Sequence, residues 1–254
     1  MLENLTFDDV LTEVASAPVS SSASIQGTTV VDGPGVFSVL TSTPFPPRAT
    51  TWSGDLPYVN LNGTPWTIPA GASLSIAPGR VVKFATTNNG FGSFAVAGSL
   101  VLDGNAGNAV VLTTTGDDSA GGDFGRDGQG ALGRWAGVSL SGTGSLDAHD
   151  AELRNATIGV ALNAAGTAAT IRRSRITQAE QAGIRANASA NLLVEDSIIS
   201  GQLSSGTGVE LGTGSPVIRR SVIRDTPVAV QVIGTATPVL RGNQLLGHPF
   251  GVLA

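Results

Sequence analysis

Apolar positions along this chain follow two different spacings. From Ser145 onward they alternate with small or charged residues over short runs, break at a turn, and resume. Strict alternation puts every second side chain on one face, so each run predicts a short, half-buried β-strand. Near the N-terminus the spacing is helical. Phe7, Val10, Leu11 and Val14 fall at i, i+3, i+4 and i+7 over Met1–Val14, with Thr6 as a cap and Asp9 completing a weak capping box. Ala15–Ser24 reads as an aperiodic Ser/Ala/Pro linker, and Thr28–Val31 and Val36–Leu40 are β-type runs. Residues 1–51 thus predict a capping segment, a short helix followed by irregular strands.

The strands repeat. A core of the form apolar-x-x-Ser/Asn-x-apolar occurs as Ile171–Ile176, Val194–Ile199, Ile218–Ile223 and Leu240–Leu245, with a degenerate copy at Ala148–Leu153. Its last apolar position falls at 153, 176, 199, 223 and 245, steps of 23, 23, 24 and 22 residues. A second strand follows each copy, usually opened by glycine, as in Gly159–Leu162, Gly183–Ala186 and Gly208–Leu211. This period is too short for a propeller blade and lacks the dense leucine pattern of leucine-rich repeats. It fits one coil of a parallel β-helix, whose coils stack about 4.8 Å apart so that equivalent positions form ladders. Ser174, Ser197, Ser221 and Asn243 then predict an inward polar ladder at a turn, able to bond the next coil's backbone. Outside it run His149, Arg172, Glu195, Arg219 and Arg241, and beside them Asp150, Arg173, Asp196 and Arg220. The second set alternates in sign, as stacked strands require.

Longer coils precede this array. Ile68–Ile76 resembles Val96–Leu102 at a step of about 26–28 residues, with the added length placed in turns. Roughly seven coils, a rod of about 35 Å, are expected within residues 52–254, interrupted by an Asp/Gly-rich insertion at 114–134.

Composition narrows the chemistry. The 254 residues contain 34 Gly, 13 Pro and no Cys, which excludes disulfides and zinc–thiolate sites. Nineteen Asp+Glu face 14 Lys+Arg, and Lys83 is the single lysine, so a basic nucleic-acid-binding face is not expected. No apolar run of about 20 residues is present to form a transmembrane segment.

On Leu56–Asn60, Trp66–Phe84 and the Asp-rich segment running into Arg134–Val138, the chain resembles bacterial right-handed parallel β-helix repeat proteins of the pectate-lyase-like superfamily. The resemblance covers about Trp52 to Ala254. It implies the fold, and a secreted or cell-surface module whose leader is not present in this chain.

Three sets of residues are candidates for function. Asp117, Asp118, Asp123 and Asp127 lie within eleven residues on a glycine-rich loop, an oxygen-rich pattern that suits Ca2+. The spacing is not that of an EF-hand, and Arg126 can instead neutralise the cluster as an ion pair. Phe91 and Phe124, in glycine-flanked loops, are the best exposed aromatics for glycan binding. Trp66, Phe84, Phe94 and Trp135 read either as part of such a face or as plugs for the wider early coils. Among the enzymes of the resembled superfamily, hydrolases use a Gly-His-Gly segment, and the chain has none. Lyases use carboxylate-bound calcium with an Arg or Lys base, for which Arg172, Arg173, Arg219 and Arg220 are available. Their regular ladder has a full structural explanation, so no catalytic residue is assigned.

A β-helix must also cover its ends. The N-terminal helix is the expected cap, whereas Gly251–Ala254 lies inside a strand copy, so two expectations stand: further coils follow in the natural protein, or this end docks on another molecule, as in end-to-end self-association through the C-terminal coil. The reading is therefore an all-β, right-handed, single-stranded parallel β-helix with an N-terminal capping helix. Its expected role is a non-catalytic extracytoplasmic structural or adhesive module. The alternatives are a polysaccharide-binding or polysaccharide-lyase protein, and a self-assembling filament or surface-layer subunit.

Overall fold

The computed structural model describes residues 45–254, except 46, 62, 88–89, 125–132, 189 and 202–205, and the backbone of six short strands between Leu2 and Leu40. Of residues 86–87 and 90–91 only the backbone is described. The chain winds as a parallel β-helix. Each coil contributes one strand to each of three ladders, here called faces A, B and C. Face A stacks Ala49–Trp52, Ser73–Ile76, Ser99–Asp103, Ser145–His149, Ala168–Arg172, Asn191–Glu195, Val217–Arg219 and Val239–Arg241. Face B runs from Tyr58–Asn60 to Gln244–Leu246, and face C from Trp66–Ile68 to Phe250–Leu253. Eight coils thus lie between Ala49 and Leu253.

The register is the one that the repeat predicts. Leu112, Leu153, Ile176, Ile199, Ile223 and Leu245 form one column. Leu102, Ala148, Ile171, Val194, Ile218 and Leu240 form another. In-register β-branched and leucine side chains fill the interior, and each rung buries the one beneath it. The early coils are wider and hold aromatics. Trp52 stacks on Tyr58 at 4.6 Å, and Phe84 stacks on Trp135 at 4.5 Å, with Trp66 and Phe94 between these pairs. Trp66, Phe84, Phe94 and Trp135 are fully buried, so these aromatics are core rather than a glycan-binding face.

The hydrophobic pattern does not show the corners. Between faces A and B the chain turns on a single left-handed residue, Asp150, Arg173, Asp196, Arg220 or Gly242, at φ +46°, +47°, +50°, +51° and +64°. The amide of each non-glycine corner residue donates to the carbonyl that ends the face-A strand of the next coil, at 3.0–3.2 Å. Arginine is unusual in this conformation, and the stacked hydrogen bonds and ion pairs hold it there against about 1–2 kcal/mol of strain.

No helix occurs among the described residues. Leu2–Glu3 and Thr6–Asp8 are strands, paired in parallel with Ile25–Gln26 and Thr29–Val31. This corrects the expected helix over its first part, while Val10, Leu11 and Val14 lie outside the described residues. Ala15–Pro18, expected as linker, is a strand that pairs with Phe37–Leu40, which in turn pairs with Tyr58–Val59 on face B. The physical reason is that two turns of isolated helix are marginal, whereas a Thr/Phe/Val-rich segment gains a full ladder from a neighbour 22–23 residues away.

Candidate functional site

The insertion leaves face B after Thr114 and rejoins the rod at Trp135, where Ala156 of the next coil bridges it. Its described part folds back over face B. The outward column there is Val59, Lys83 and Thr113, and all three are fully buried although they point away from the core. Gly121 sits so close to the rod that a Cβ would lie 2.9 Å from Pro57 Cγ and 3.1 Å from Val81 Cγ1. Its φ of +71° likewise requires glycine.

One aspartate receives most of the clamp. Thr113 Oγ1 donates to Asp117 Oδ2 at 2.7 Å, and Ser119 donates to Oδ1 through its hydroxyl at 2.5 Å and its amide at 3.2 Å. Arg154 Nη1 approaches Oδ2 at 3.4 Å and donates to Ser119 Oγ at 3.0 Å, while Glu152 holds the other side of the guanidinium. Lys83 completes the arrangement from the preceding coil. Its ammonium donates to the carbonyl oxygens of Asp117 at 3.1 Å and Gly122 at 2.5 Å. Burial pushes the Lys83 pKa down, against the opposing pull of Asp118, Asp117 and Asp123. Burial also disfavours ionised Asp117, but hydrogen bonds from Ser119 and Thr113 and the nearby Arg154 outweigh it and hold the carboxyl below its ordinary range.

Three of the expected site residues, Asp117, Asp118 and Asp123, lie near Lys83. The Asp117 carboxylate accepts from Thr113 and Ser119, and the carbonyls of Asp117 and Gly122 accept from the Lys83 ammonium. Asp118 and Asp123 are half-buried near Lys83. Asp127 lies outside the described residues. Among the described residues no group of three His, Cys, Asp or Glu side chains converges as metal ligands. Phe124 is half-buried at the end of the described part of the insertion, and Phe91 closes the backbone hairpin Thr86–Thr87/Gly90–Phe91. The sequence marks Lys83 only as the single lysine. A charge inside the apolar strand Val81–Phe84, upstream of a long insertion, is the signal that could have found it.

The turn ladder is built as its pattern suggests. Ser174 accepts from Ala151 N at 3.1 Å, Ser197 from Ser174 N at 3.2 Å, Ser221 from Ser197 N at 3.2 Å, and Asn243 Oδ1 from Ser221 N at 3.0 Å. Outside it, Arg173 pairs with Asp150 at 2.8 Å and Arg220 with Asp196 at 2.9 Å. Glu195 accepts from Arg172, Arg219 and Arg220 together. The hydrogen bond from Arg219 contributes most, partial burial opposes it, and those from Arg220 and Arg172 add to it, so the Glu195 carboxyl falls to about 2. The Glu195 carboxylate is held by three guanidinium groups, and Arg173 and Arg220 bind carboxylates of adjacent rungs. These groups brace rung against rung.

The architecture defines the class, a parallel β-helix solenoid. A family model described as right handed beta helix region matches residues 136–253, from the last part of the third coil to the end of the eighth. No curated protein and no solved structure matches the chain. No helix of the described residues is long and apolar enough to cross a membrane.

Proposed function

We propose that this chain is a non-catalytic structural and adhesive β-helix module of the bacterial cell surface or extracellular space, which presents its insertion from a rod. The observation that carries this reading is the use already made of the polar groups. Arg172, Arg173, Arg219 and Arg220 bind carboxylates of neighbouring rungs, while Lys83, Asp117 and Arg154 fix the insertion to face B. A catalytic constellation needs a base, an acid and stabilising donors converging on one point, and groups spread along a ladder do not converge. The resemblance to surface β-helix proteins supports the location.

Incubating the chain with acidic polysaccharides and measuring release of unsaturated products tests the absence of catalysis, and a glycan array tests adhesion. Turnover that Arg173→Ala or Arg220→Ala abolishes would overturn the proposal in favour of a polysaccharide lyase. Binding without turnover supports a glycan-binding module, with Phe91 and Phe124 as its first candidate contacts. Calcium held by Asp117, Asp118, Asp123 and Asp127 is part of this reading, with Asp117 also accepting from Thr113 and Ser119. A rise in melting temperature at millimolar calcium supports that role, and identical melting in calcium and in chelator sinks it.

A further inference from the structure

We infer that His248 is a proton-operated latch on the eighth coil. As an imidazolium it pins the corner Gly247–Pro249 to the seventh coil, and loss of one ring proton releases it. This inference rests on hydrogen bonding at one corner and not on the adhesive role, so its failure leaves that role standing.

The corner between faces B and C, like that between A and B, turns on a left-handed residue. Asn155, Gln178, Gly201, Asp225 and Gly247 occupy it, at φ +59°, +57°, +65°, +56° and +70°. The residue that follows is buried in the lower coils: Ala156, Ala179 and Thr226 are 1%, 0% and 2% exposed. His248 follows Gly247 and holds the same place in its own coil. A methyl group needs no partner there, whereas an imidazole must satisfy two ring nitrogens.

Both nitrogens meet acceptors. His248 Nε2 lies 2.9 Å from the Ile223 carbonyl oxygen. Nδ1 lies 2.9 Å from the Thr226 carbonyl oxygen and 3.0 Å from Thr226 Oγ1. A carbonyl oxygen only accepts, so each of the two carbonyl contacts needs an N–H. The hydroxyl does not change the count, because Thr226 Oγ1 donates its one proton to the Val228 carbonyl at 2.8 Å. Only the imidazolium carries a proton on both nitrogens. It satisfies every contact at once, and its charge strengthens them.

The neutral ring has two poorer arrangements. Protonated at Nδ1 alone, it turns the Nε2 lone pair on the Ile223 carbonyl. Protonated at Nε2 alone, it turns the Nδ1 lone pair on the Thr226 carbonyl. The Thr226 hydroxyl relieves that second clash only by swinging its proton from the Val228 carbonyl to Nδ1. Either way the corner loses one hydrogen bond. The strand Phe250–Leu253 begins two residues further on and stacks on Val228–Val232, so it is the segment that loosens. The charged groups of this corner are Arg224 and Asp225, which approach each other at 3.7 Å, and Asp225 Oδ1 lies 2.9 Å from where a Cβ on Gly247 would stand. Both side chains are exposed, so solvent screens them and the ring's own proton is the switch.

Hydrogen exchange of the full chain between pH 5.5 and 8, corrected for intrinsic rates, tests the latch, because histidine is the side chain that ordinarily changes charge in this range. Amides of Phe250–Leu253 should lose protection by about three- to tenfold as pH rises, the effect of one hydrogen bond, while those of Ile171–Thr177 stay unchanged. His248→Gln has no proton to lose, and its Phe250–Leu253 amides should be equally protected at both ends of the range. Thr226→Val removes the hydroxyl that relieves the neutral ring and should steepen the loss. The other histidine, His149, pairs with Asp147 on face A, and His149→Gln should leave the loss as it is. A change of less than twofold in the parent overturns the latch, and this measurement decides the matter even where a substitution unfolds the coil. A loss that persists in His248→Gln, that disappears in His149→Gln, or that Thr226→Val does not steepen overturns it equally.

Discussion

Removing the Asp117 carboxylate should release the insertion while leaving the rod intact. Asp117 is only 6% exposed, and it accepts hydrogen bonds from Thr113 Oγ1, Ser119 Oγ and Ser119 N at 2.7, 2.5 and 3.2 Å. Hydrogen bonds to a charged group contribute about 1.5–3 kcal/mol each, and relief of the carboxylate's desolvation offsets part of their sum. Asp117→Ala should therefore weaken docking by about 2–4 kcal/mol, roughly thirty- to nine-hundredfold in the local opening equilibrium. Hydrogen exchange followed by mass spectrometry reads this directly. Amides of residues 115–124 should lose protection by that factor, while those of Ile171–Thr177 and Val194–Ser200 stay unchanged. Asp117→Asn keeps the size and an acceptor oxygen but loses the charge, and should fall between. Protection within twofold of the parent for Asp117→Ala would refute the clamp and assign docking to the contacts of Gly121 with Pro57 and Val81.

Acid should weaken both polar networks. Glu195 sits at about 2 in the folded chain against an ordinary 4.5, so the stability it lends is complete above about pH 4.5 and is lost as pH falls towards 2. Asp117, also held low, acts in the same direction, and melting temperatures that do not fall across that window, or that fall equally in Glu195→Gln, would contradict the assignment. Ser197→Ala leaves the buried Ser174 amide without its acceptor, and denaturant titration should show a loss of about 1–3 kcal/mol, whereas Ser215→Ala, at an exposed turn, should show almost none. Gly137→Ala is expected to be worse, because Gly137 has φ +103° and a Cβ would lie 1.7 Å from the Ile158 carbonyl oxygen. Soluble expression and melting should both fall, and a parent-like Tm would show that the coil relaxes there freely.

Much of the rod is legible in the repeat alone. Leu153, Ile176, Ile199, Ile223 and Leu245 recur at the coil period and stack in that register, because in-register parallel strands turn a sequence period directly into a spatial column. Ser174, Ser197, Ser221 and Asn243 are legible for the same reason, as is the sign alternation from Asp150 to Arg220. Local period misleads where a distant partner matters. Thr6–Asp8 looks helical over a few residues, and its strand exists through Thr29–Val31, which helical spacing does not detect.

By itself, then, the sequence determined what repeats: the coil length, the inward columns and the ladder of short polar side chains. Only the tertiary structure decided what does not repeat. The left-handed corners at Arg173 and Arg220 depend on neighbours one coil away, since a bulky residue takes that conformation only when stacked hydrogen bonds and ion pairs hold it. The insertion's attachment depends on Lys83, Thr113 and Arg154, residues from three successive coils that approach one another only once the rod has wound. A lone lysine inside an apolar strand carries no sign of its partners, because its partners are backbone carbonyls 34 and 39 residues further along the chain.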